Sequence, residues 1–191
     1  LAELDALVRG AYMDYDFKRV THTLSNFMNV DLSAFYFDIR KDTLYCDAPS
    51  SLRRRACRTV LDHLFSCLTA WLAPVLCFTM EEVWLSRFPS DEDSVHLRTF
   101  PEIPGDWRNE ALSEKWKKVR ELRRVVTGAL EVERREKRIG ASLEAAPEVF
   151  VSRPVLLAAM QGVDLADLSI TSQSTLAAGD GPADPCPSAP L

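Results

Sequence analysis

Residues 17–39, FKRVTHTLSNFMNVDLSAFYFDI, decide the fold class of this 191-residue chain. Their apolar side chains recur at intervals of three and four residues, which is the spacing of an amphipathic helix and not of a strand. The stripe consists of Phe17, Val20, Leu24, Met28, Leu32, Phe35 and Ile39. We therefore predict one long helix over this segment, with one face packed into a core.

The same helical period extends along residues 1–140. Four further helices are predicted, over residues 1–15, 52–71, 74–84 and 112–138. Ser50 or Ser51 is the expected N-cap of the helix from residue 52, Pro74 occupies the first turn of the next helix, and Gly140 follows the last. Residues 1–140 are therefore predicted to form a helical bundle.

The period changes after Gly140. Residues 148–151, EVFV, are predicted to form a strand, residues 154–161, PVLLAAMQ, a short helix, and residues 167–176, DLSITSQSTL, a second strand. Residues 141–176 thus form a partial β-α-β element, and residues 177–191, rich in proline and glycine, are expected to be a disordered tail. The predicted fold class is mainly α: a helical bundle followed by a small α/β element.

The composition excludes several classes of protein. Apolar residues make up 47% and charged residues 27% of the chain, which is sufficient for a packed core. No apolar run is long enough to span a bilayer and no secretory leader precedes the helices, so we expect no membrane partner. The five cysteines form no CxxC pair, and His22, His63 and His96 are scattered, so we expect reduced core cysteines and no metal site.

The sequence contains no arrangement typical of catalysis. Asp62 and His63 are adjacent, but neighbours on a helix point about 100° apart and cannot orient one another. The same argument applies to Glu81 and Glu82. There is neither a G-x-S-x-G motif nor a glycine-rich phosphate loop. We therefore expect that the chain itself catalyses no reaction.

Positive charge is concentrated in two segments. Residues 50–61, SSLRRRACRTVL, carry four arginines and no acid. We predict that Leu52, Ala56 and Val60 lie on the buried side, so that Arg54, Arg55 and Arg58 face solvent or a partner. A solvated helical face is the alternative interpretation. Residues 108–140 have eleven bases against six acids, and here internal ion pairs offer an explanation without any ligand.

A third basic feature lies where the helix of residues 17–39 is expected to end. Phe35 and Ile39 continue the apolar stripe, so the aromatic part of this segment is interpreted mainly as packing. Arg40 and Lys41 follow it, with Tyr45 close by. A helix end of this kind offers hydrogen-bond donors to phosphates and a ring on which a base can stack.

Four blocks of sequence occur together: DLSAFYFDIRKDTLYCDAP (31–49), LAPVLCFTMEEVW (72–84), SVHL (94–97) and ALEVERREKRIGASLEA (129–145). In this order they resemble the C-terminal region of bacterial isoleucyl-tRNA synthetases, and the resemblance covers residues 1–176. The valyl and leucyl enzymes share the bundle and a block related to the second one. The Y-F-D-x-x-K-D-x-L-Y form beginning at Tyr36 and the F-T-x-E-E form beginning at Phe78 favour the isoleucyl enzymes.

The resemblance implies an α-helical anticodon-binding domain followed by a smaller mixed α/β element. The periodicity predicts the same architecture, a helical bundle and then a small α/β element. The family's two ATP-binding signatures, its editing domain and the zinc element of some members do not occur in this sequence. We therefore expect a fragment that is inactive alone and holds no cofactor. Its cytoplasmic parent would use ATP and Mg²⁺ to ligate isoleucine to tRNA, and its partners would be isoleucine-accepting tRNA and the rest of the synthetase.

The basic residues are then candidates for binding tRNA. The candidates are Arg40, Lys41, Tyr45, Arg54, Arg55 and Arg58. Arginine and lysine contacts to phosphates would set position, and contacts to unstacked bases would supply identity. In the alternative hypothesis the bundle docks against the catalytic body and the arginines form intramolecular ion pairs. The two hypotheses differ in whether carboxylates lie within reach of the arginines.

Overall fold

The computed structural model describes residues 1–181, which divide into two compact units. The helices of the first unit, Leu1–Arg108, are α1 (Ala2–Met13), α2 (Phe17–Asn26), α3 (Asp38–Tyr45), α4 (Leu52–Leu72) and α5 (Cys77–Arg87). The second unit begins at Asn109 and contains α6 (Glu110–Arg135), β1 (Glu148–Val151), α7 (Pro154–Ala159), α8 (Leu165–Ser169) and β2 (Thr175–Ala178). The predicted fold class is confirmed.

The division between the units lies before α6, whereas the sequence analysis placed the domain boundary after residue 140. The contacts that α6 makes with α7 and α8 account for this difference. Of the tail predicted over residues 177–191, the first two residues belong to β2, and residues 182–191 lie outside the described part. Within residues 1–181, no helix combines the length and the apolar character needed to cross a bilayer.

The core of the first unit is formed by side chains from α1, α2, α4 and α5, together with Val95. Val8, Val20, Leu24 and Trp71 are fully buried there. Burying one such side chain stabilises a fold by about 1.5–3 kcal/mol, so these four contribute much of the unit's stability. The hydroxyl of Tyr12 donates to the backbone oxygen of Trp71 at 2.5 Å, which links α1 to α4 by a polar contact as well.

The segment between α2 and α3 is helical but not α-helical. Phe27–Phe37 forms a π-helix, in which hydrogen bonds join residues i and i+5. The prediction that the chain is helical through Ile39 is therefore right, but the number of residues per helical turn is not constant along this segment. Because the π-helix is wider, a spacing of three and four does not keep residues on one face. Leu32 is buried, whereas Phe35 and Ile39 are only half-buried.

Helix α4 begins as predicted, since the Ser51 side chain accepts a hydrogen bond from the Arg54 amide. The prediction that Leu52, Ala56 and Val60 lie on its buried side is wrong. Leu52 is 79% exposed, Val60 is 40% exposed and Ala56 is also exposed. The buried residues of α4 are Cys57, Leu64, Cys67, Thr69, Ala70, Trp71 and Leu72. Cys57, the first of these, lies one residue, about 100° around the helix, from Ala56, which was expected to be buried.

Two predicted helix ends also need correction. Helix α5 begins at Cys77, not at Pro74, because residues 73–76 form a turn in which the Leu76 amide donates to the Leu72 oxygen at 2.7 Å. Helix α6 ends at Arg135, and Lys137, not Gly140, adopts the left-handed conformation that follows it. The Arg138 amide then donates to the Glu133 oxygen at 3.0 Å, closing a Schellman motif.

The second unit contains a parallel pair of strands with two short helices between them. Glu148 to Val151 of β1 pair in order with Thr175 to Ala178 of β2. The predicted first strand and the helix after it are confirmed. The strand predicted over residues 167–176 is wrong except at Thr175 and Leu176, which belong to β2. Its first residues belong to α8, which forms because the Asp164 carboxylate accepts hydrogen bonds from the Ala166 and Asp167 amides.

Candidate nucleic-acid interface

Arg54, one of the predicted tRNA-binding residues, is held within the fold. It is half-buried, and its Nη1 donates to the backbone oxygen of Asp47 at 2.8 Å. Its Nε is buried and has no hydrogen-bond partner among residues 1–181. The Ser51 hydroxyl donates to the Asp47 carboxylate at 2.9 Å. Arg54 and Ser51 therefore hold the α3–α4 connection against the first turn of α4.

Arg55 and Arg58 are presented differently. Both are exposed, and neither side chain forms a hydrogen bond or ion pair with the part of the chain that the structure describes. They lie along an open groove of about 610 Å³ on the surface of the first unit. The groove is lined by Arg55, Arg58, Thr59, Leu61, Asp62, Phe65 and Arg87. Of the predicted residues, the groove brings these two arginines together.

Arg87, in the last turn of α5, is the third cation of the groove. Its Nη2 donates to the Asp62 carboxylate in an ion pair between α4 and α5. The Cζ atom of its guanidinium lies 4.7 Å from the centre of the Phe65 ring and 5.0 Å from the centre of the Phe88 ring. The groove thus contains three guanidinium groups and one carboxylate, and that carboxylate is already paired. Its electrostatic character favours an anion.

The three candidates on α3 lie outside the groove. Tyr45 is 83% exposed, which leaves its ring available for stacking. Lys41 pairs with Asp38 at 3.0 Å on the solvent side of the helix. Arg40 is half-exposed and lies near Tyr36. The pKa of Tyr36 is raised, first by burial and then by the bond that its hydroxyl donates to the Cys57 thiol.

Several basic residues of α6 contact other groups of the second unit. Lys115 donates to the Gln161 backbone oxygen at 2.7 Å, and Arg123 Nε donates to the Leu168 oxygen at 2.8 Å. Further pairs within the helix and just after it join Lys117 to Glu114, Arg134 to Glu131, and Arg138 to Glu133 and Glu136. The Lys117 ammonium lowers the pKa of Glu114. These contacts agree with the internal ion pairs considered from the sequence.

Sequence reasoning missed Arg87 and Phe65, and it considered Asp62 only as a partner for His63. Asp62 does not act with His63: it binds Arg87, 25 residues further along the chain. The His63 ring instead packs edge to face against the Trp107 ring, with 4.7 Å between the two ring centres. Asp62 and Arg87 lie on different helices, so no local spacing links them. The acid-free run around Arg55 was the only signal for the groove.

The cysteines among the described residues form no disulfide bond with one another. Cys57 and Cys67 are buried, Cys46 and Cys77 are exposed, and all four are free thiols. Burial raises the pKa of the Cys67 thiol, as expected for a core residue. Within residues 1–181, no group of three or more His, Cys, Asp or Glu side chains is arranged to hold a metal ion.

Comparison with known proteins identifies the class to which this helical unit and its basic surface belong. The family model described as the anticodon-binding domain of tRNA ligase matches residues 1–150. This match covers most of the chain. The chain therefore belongs to the family of anticodon-binding domains of tRNA ligases.

Three similar proteins carry the same name. The isoleucine–tRNA ligase of Agrobacterium fabrum is 62% identical over 184 residues, which cover 96% of this chain and 19% of that protein. Those of Mesorhizobium japonicum and Bartonella henselae are 60% and 55% identical, over 95% and 96% of this chain and 18% and 19% of theirs. The chain thus spans about a fifth of the length of these relatives.

Proposed function

We propose that this chain binds the anticodon arm of an isoleucine-accepting tRNA as part of an isoleucine–tRNA ligase. The observation that carries the proposal is the exposed pair Arg55 and Arg58, without an acidic partner among the described residues, in a chain of this family. Phosphate contacts of this kind position a protein on RNA. The names of the relatives support isoleucine as the amino acid.

The whole enzyme would ligate isoleucine to its tRNA in the cytoplasm, with ATP and Mg²⁺ bound by parts outside this chain. In this proposal Arg55 and Arg58 contact phosphates, and Tyr45 offers its 83% exposed ring to an unstacked base. Arg40 and Lys41 add positive charge at the end of α3. Arg54 acts indirectly, because its bond to the Asp47 oxygen holds the start of α4 in place.

A structural role is the second candidate function. The half-buried Arg54 favours it, as do three exposed apolar side chains at the start of α5 and near it: Leu76, Phe78 and Leu97 are 43%, 89% and 73% exposed. Exposed apolar side chains of this size are typical of surfaces that contact another protein surface. In this reading the first unit docks against the catalytic body, and tRNA is bound elsewhere.

Binding of the 191-residue chain to isoleucine-accepting tRNA tests the proposal. The same tRNA with substituted anticodon bases is the matched control, and both are titrated across a salt series. We expect tight binding to the first and a loss of about tenfold or more with the second, since each lost base contact costs about 1–3 kcal/mol. Absence of binding to either RNA at low salt, by a chain with a cooperative thermal transition, would favour the structural role.

A further inference from the structure

The groove between α4 and α5 has the size and charge of a site for part of one nucleotide. Its volume of about 610 Å³ lies within the range of small-ligand sites. Arg55 and Arg58 lie three residues apart on α4, so their side chains emerge about 5–6 Å apart on the same helical face. Two guanidinium forks at this separation can approach one phosphodiester from two sides.

Arg87 is fixed in place before any ligand binds. The Asp62 carboxylate holds one of its nitrogens, and the Phe65 and Phe88 rings limit the plane of its guanidinium. A guanidinium has five N–H donors, so most remain free for another acceptor. Because its side chain is already ordered, Arg87 loses less conformational entropy on binding than a free arginine would.

We propose that this groove holds the phosphodiester of one unpaired nucleotide of the anticodon loop, with Arg55, Arg58 and Arg87 as its donors and Asp62 as the residue that positions Arg87. This inference rests on the proposed function and adds the ligand group and two residues to it. Asp62 contributes no direct contact with the phosphate. The negative charge of Asp62 weakens the attraction of the groove for a phosphate. The gain in affinity from holding Arg87 in place is larger than this loss.

The first test uses an anticodon-arm RNA hairpin and single methylphosphonate substitutions, which remove the charge of one loop phosphate at a time. We expect Arg58→Ala to weaken binding about tenfold, the usual cost of one charge-assisted contact. At one loop position the neutral linkage weakens binding of the unaltered chain by more than Arg58→Ala does, because it removes the charge that all three arginines contact. The same linkage weakens binding of Arg58→Ala by a smaller factor, since only Arg55 and Arg87 still contact that phosphate. Losses that are additive at every position would overturn the proposal.

Arg87 and Asp62 are tested with the same hairpin. Arg87→Lys keeps the charge but loses the planar fork, and we expect it to bind about as weakly as Arg87→Ala. Asp62→Asn removes a negative charge from the groove. If Asp62 had no positioning role, this change would make binding of the hairpin tighter. We expect instead about threefold weaker binding, because Arg87 is no longer held. Tighter binding by Asp62→Asn would refute its positioning role.

Arg19→Ala is the matched control. Arg19 is an exposed arginine on α2 that does not line the groove. If the unaltered chain binds the hairpin but the Arg58 and Arg87 variants bind like Arg19→Ala, the groove is not the site. Binding of the anticodon arm by this chain would then still stand, but through other residues. If the unaltered chain binds neither hairpin nor tRNA, both proposals fail. Thermal transitions of all variants exclude loss of fold as the cause.

Discussion

The basic segments of α4 and α6 look alike in composition but are used differently. In α6, Lys117 and Arg134 pair with glutamates three residues earlier, and Arg123 donates to a backbone oxygen of α8. In α4, the side chains of Arg55 and Arg58 form no such contact with the described residues. These basic residues of α6 hold their own unit together, whereas Arg55 and Arg58 of α4 are left on the surface.

The spacing of acids separates the two cases better than the number of bases does. Glu114 and Glu131 stand one helical turn before their basic partners, at a separation where side chains meet. Residues 50–61 contain no acid at all. Asp62, four residues after Arg58, is the nearest acid and pairs with Arg87 instead. A basic residue whose neighbours at i±3 and i±4 include no acid, or only an acid that pairs elsewhere, is therefore the better candidate for an RNA surface.

The largest expected effect on stability is in α6. Arg123→Ala removes a charged donor to the Leu168 oxygen, which lies at the end of α8, and should lower the free energy of unfolding of the second unit by about 2 kcal/mol. Urea unfolding followed by circular dichroism measures this change. The matched control is Arg124→Ala, whose exposed side chain lacks such a bond within residues 1–181. We expect it to change stability by less than about 0.5 kcal/mol. Equal losses in the free energy of unfolding of Arg123→Ala and Arg124→Ala would contradict the stabilising role assigned to Arg123.

Arg54 tests the comparison within α4 itself. Arg54→Ala removes the bond to the Asp47 oxygen and should destabilise the first unit by about 1 kcal/mol. We expect its affinity for tRNA to change much less than that of Arg55→Ala. Thermal unfolding and tRNA titration of both variants measure the two effects. A variant at Arg54 with unchanged stability and strongly weakened binding would place this residue on the RNA surface.

The smallest expected effect is on the buried side of α4, where the Tyr36 hydroxyl donates to the Cys57 thiol at 3.6 Å. Tyr36→Phe should cost about 0.5 kcal/mol at pH 7, since this bond to sulfur is weak. The pKa of Tyr36 is raised in the fold, so its contribution is complete below pH 10 and is lost as pH rises further. The unaltered protein should therefore lose stability more steeply than Tyr36→Phe above about pH 10. Parallel profiles from pH 8 to 11 would contradict this assignment.

The sequence was sufficient for those parts of the fold that depend on local patterns. The Ser51 cap, the helical segments and the first strand all follow from spacing within a few residues. It was insufficient where the backbone departs from the usual α-helical period. The π-helix Phe27–Phe37 and the left-handed Lys137 each change which face a residue occupies or where a helix ends, without a local signal.

The candidate site could be predicted only in part. The absence of acids around Arg55 and Arg58 is visible in the sequence, and both arginines are exposed. The role of Arg54 was not visible, because it depends on where the chain before α4 turns back toward the helix. Arg87 was missed for a similar reason, since its partner Asp62 lies 25 residues earlier on another helix. Contacts between helices set the roles of both residues.

The most direct test of the account is the salt dependence of binding to isoleucine-accepting tRNA. Two double variants are compared with the unaltered chain: Arg55→Ala with Arg58→Ala, and Lys117→Ala with Arg134→Ala. Each lost phosphate contact in a single-stranded region should reduce the slope of log K against log salt concentration by about 0.7. Because Arg55 and Arg58 are proposed to contact the same phosphate, we predict a reduction of about 0.7 for the α4 variant and none for the α6 variant. Equal reductions, or a reduction only in the α6 variant, would contradict the account.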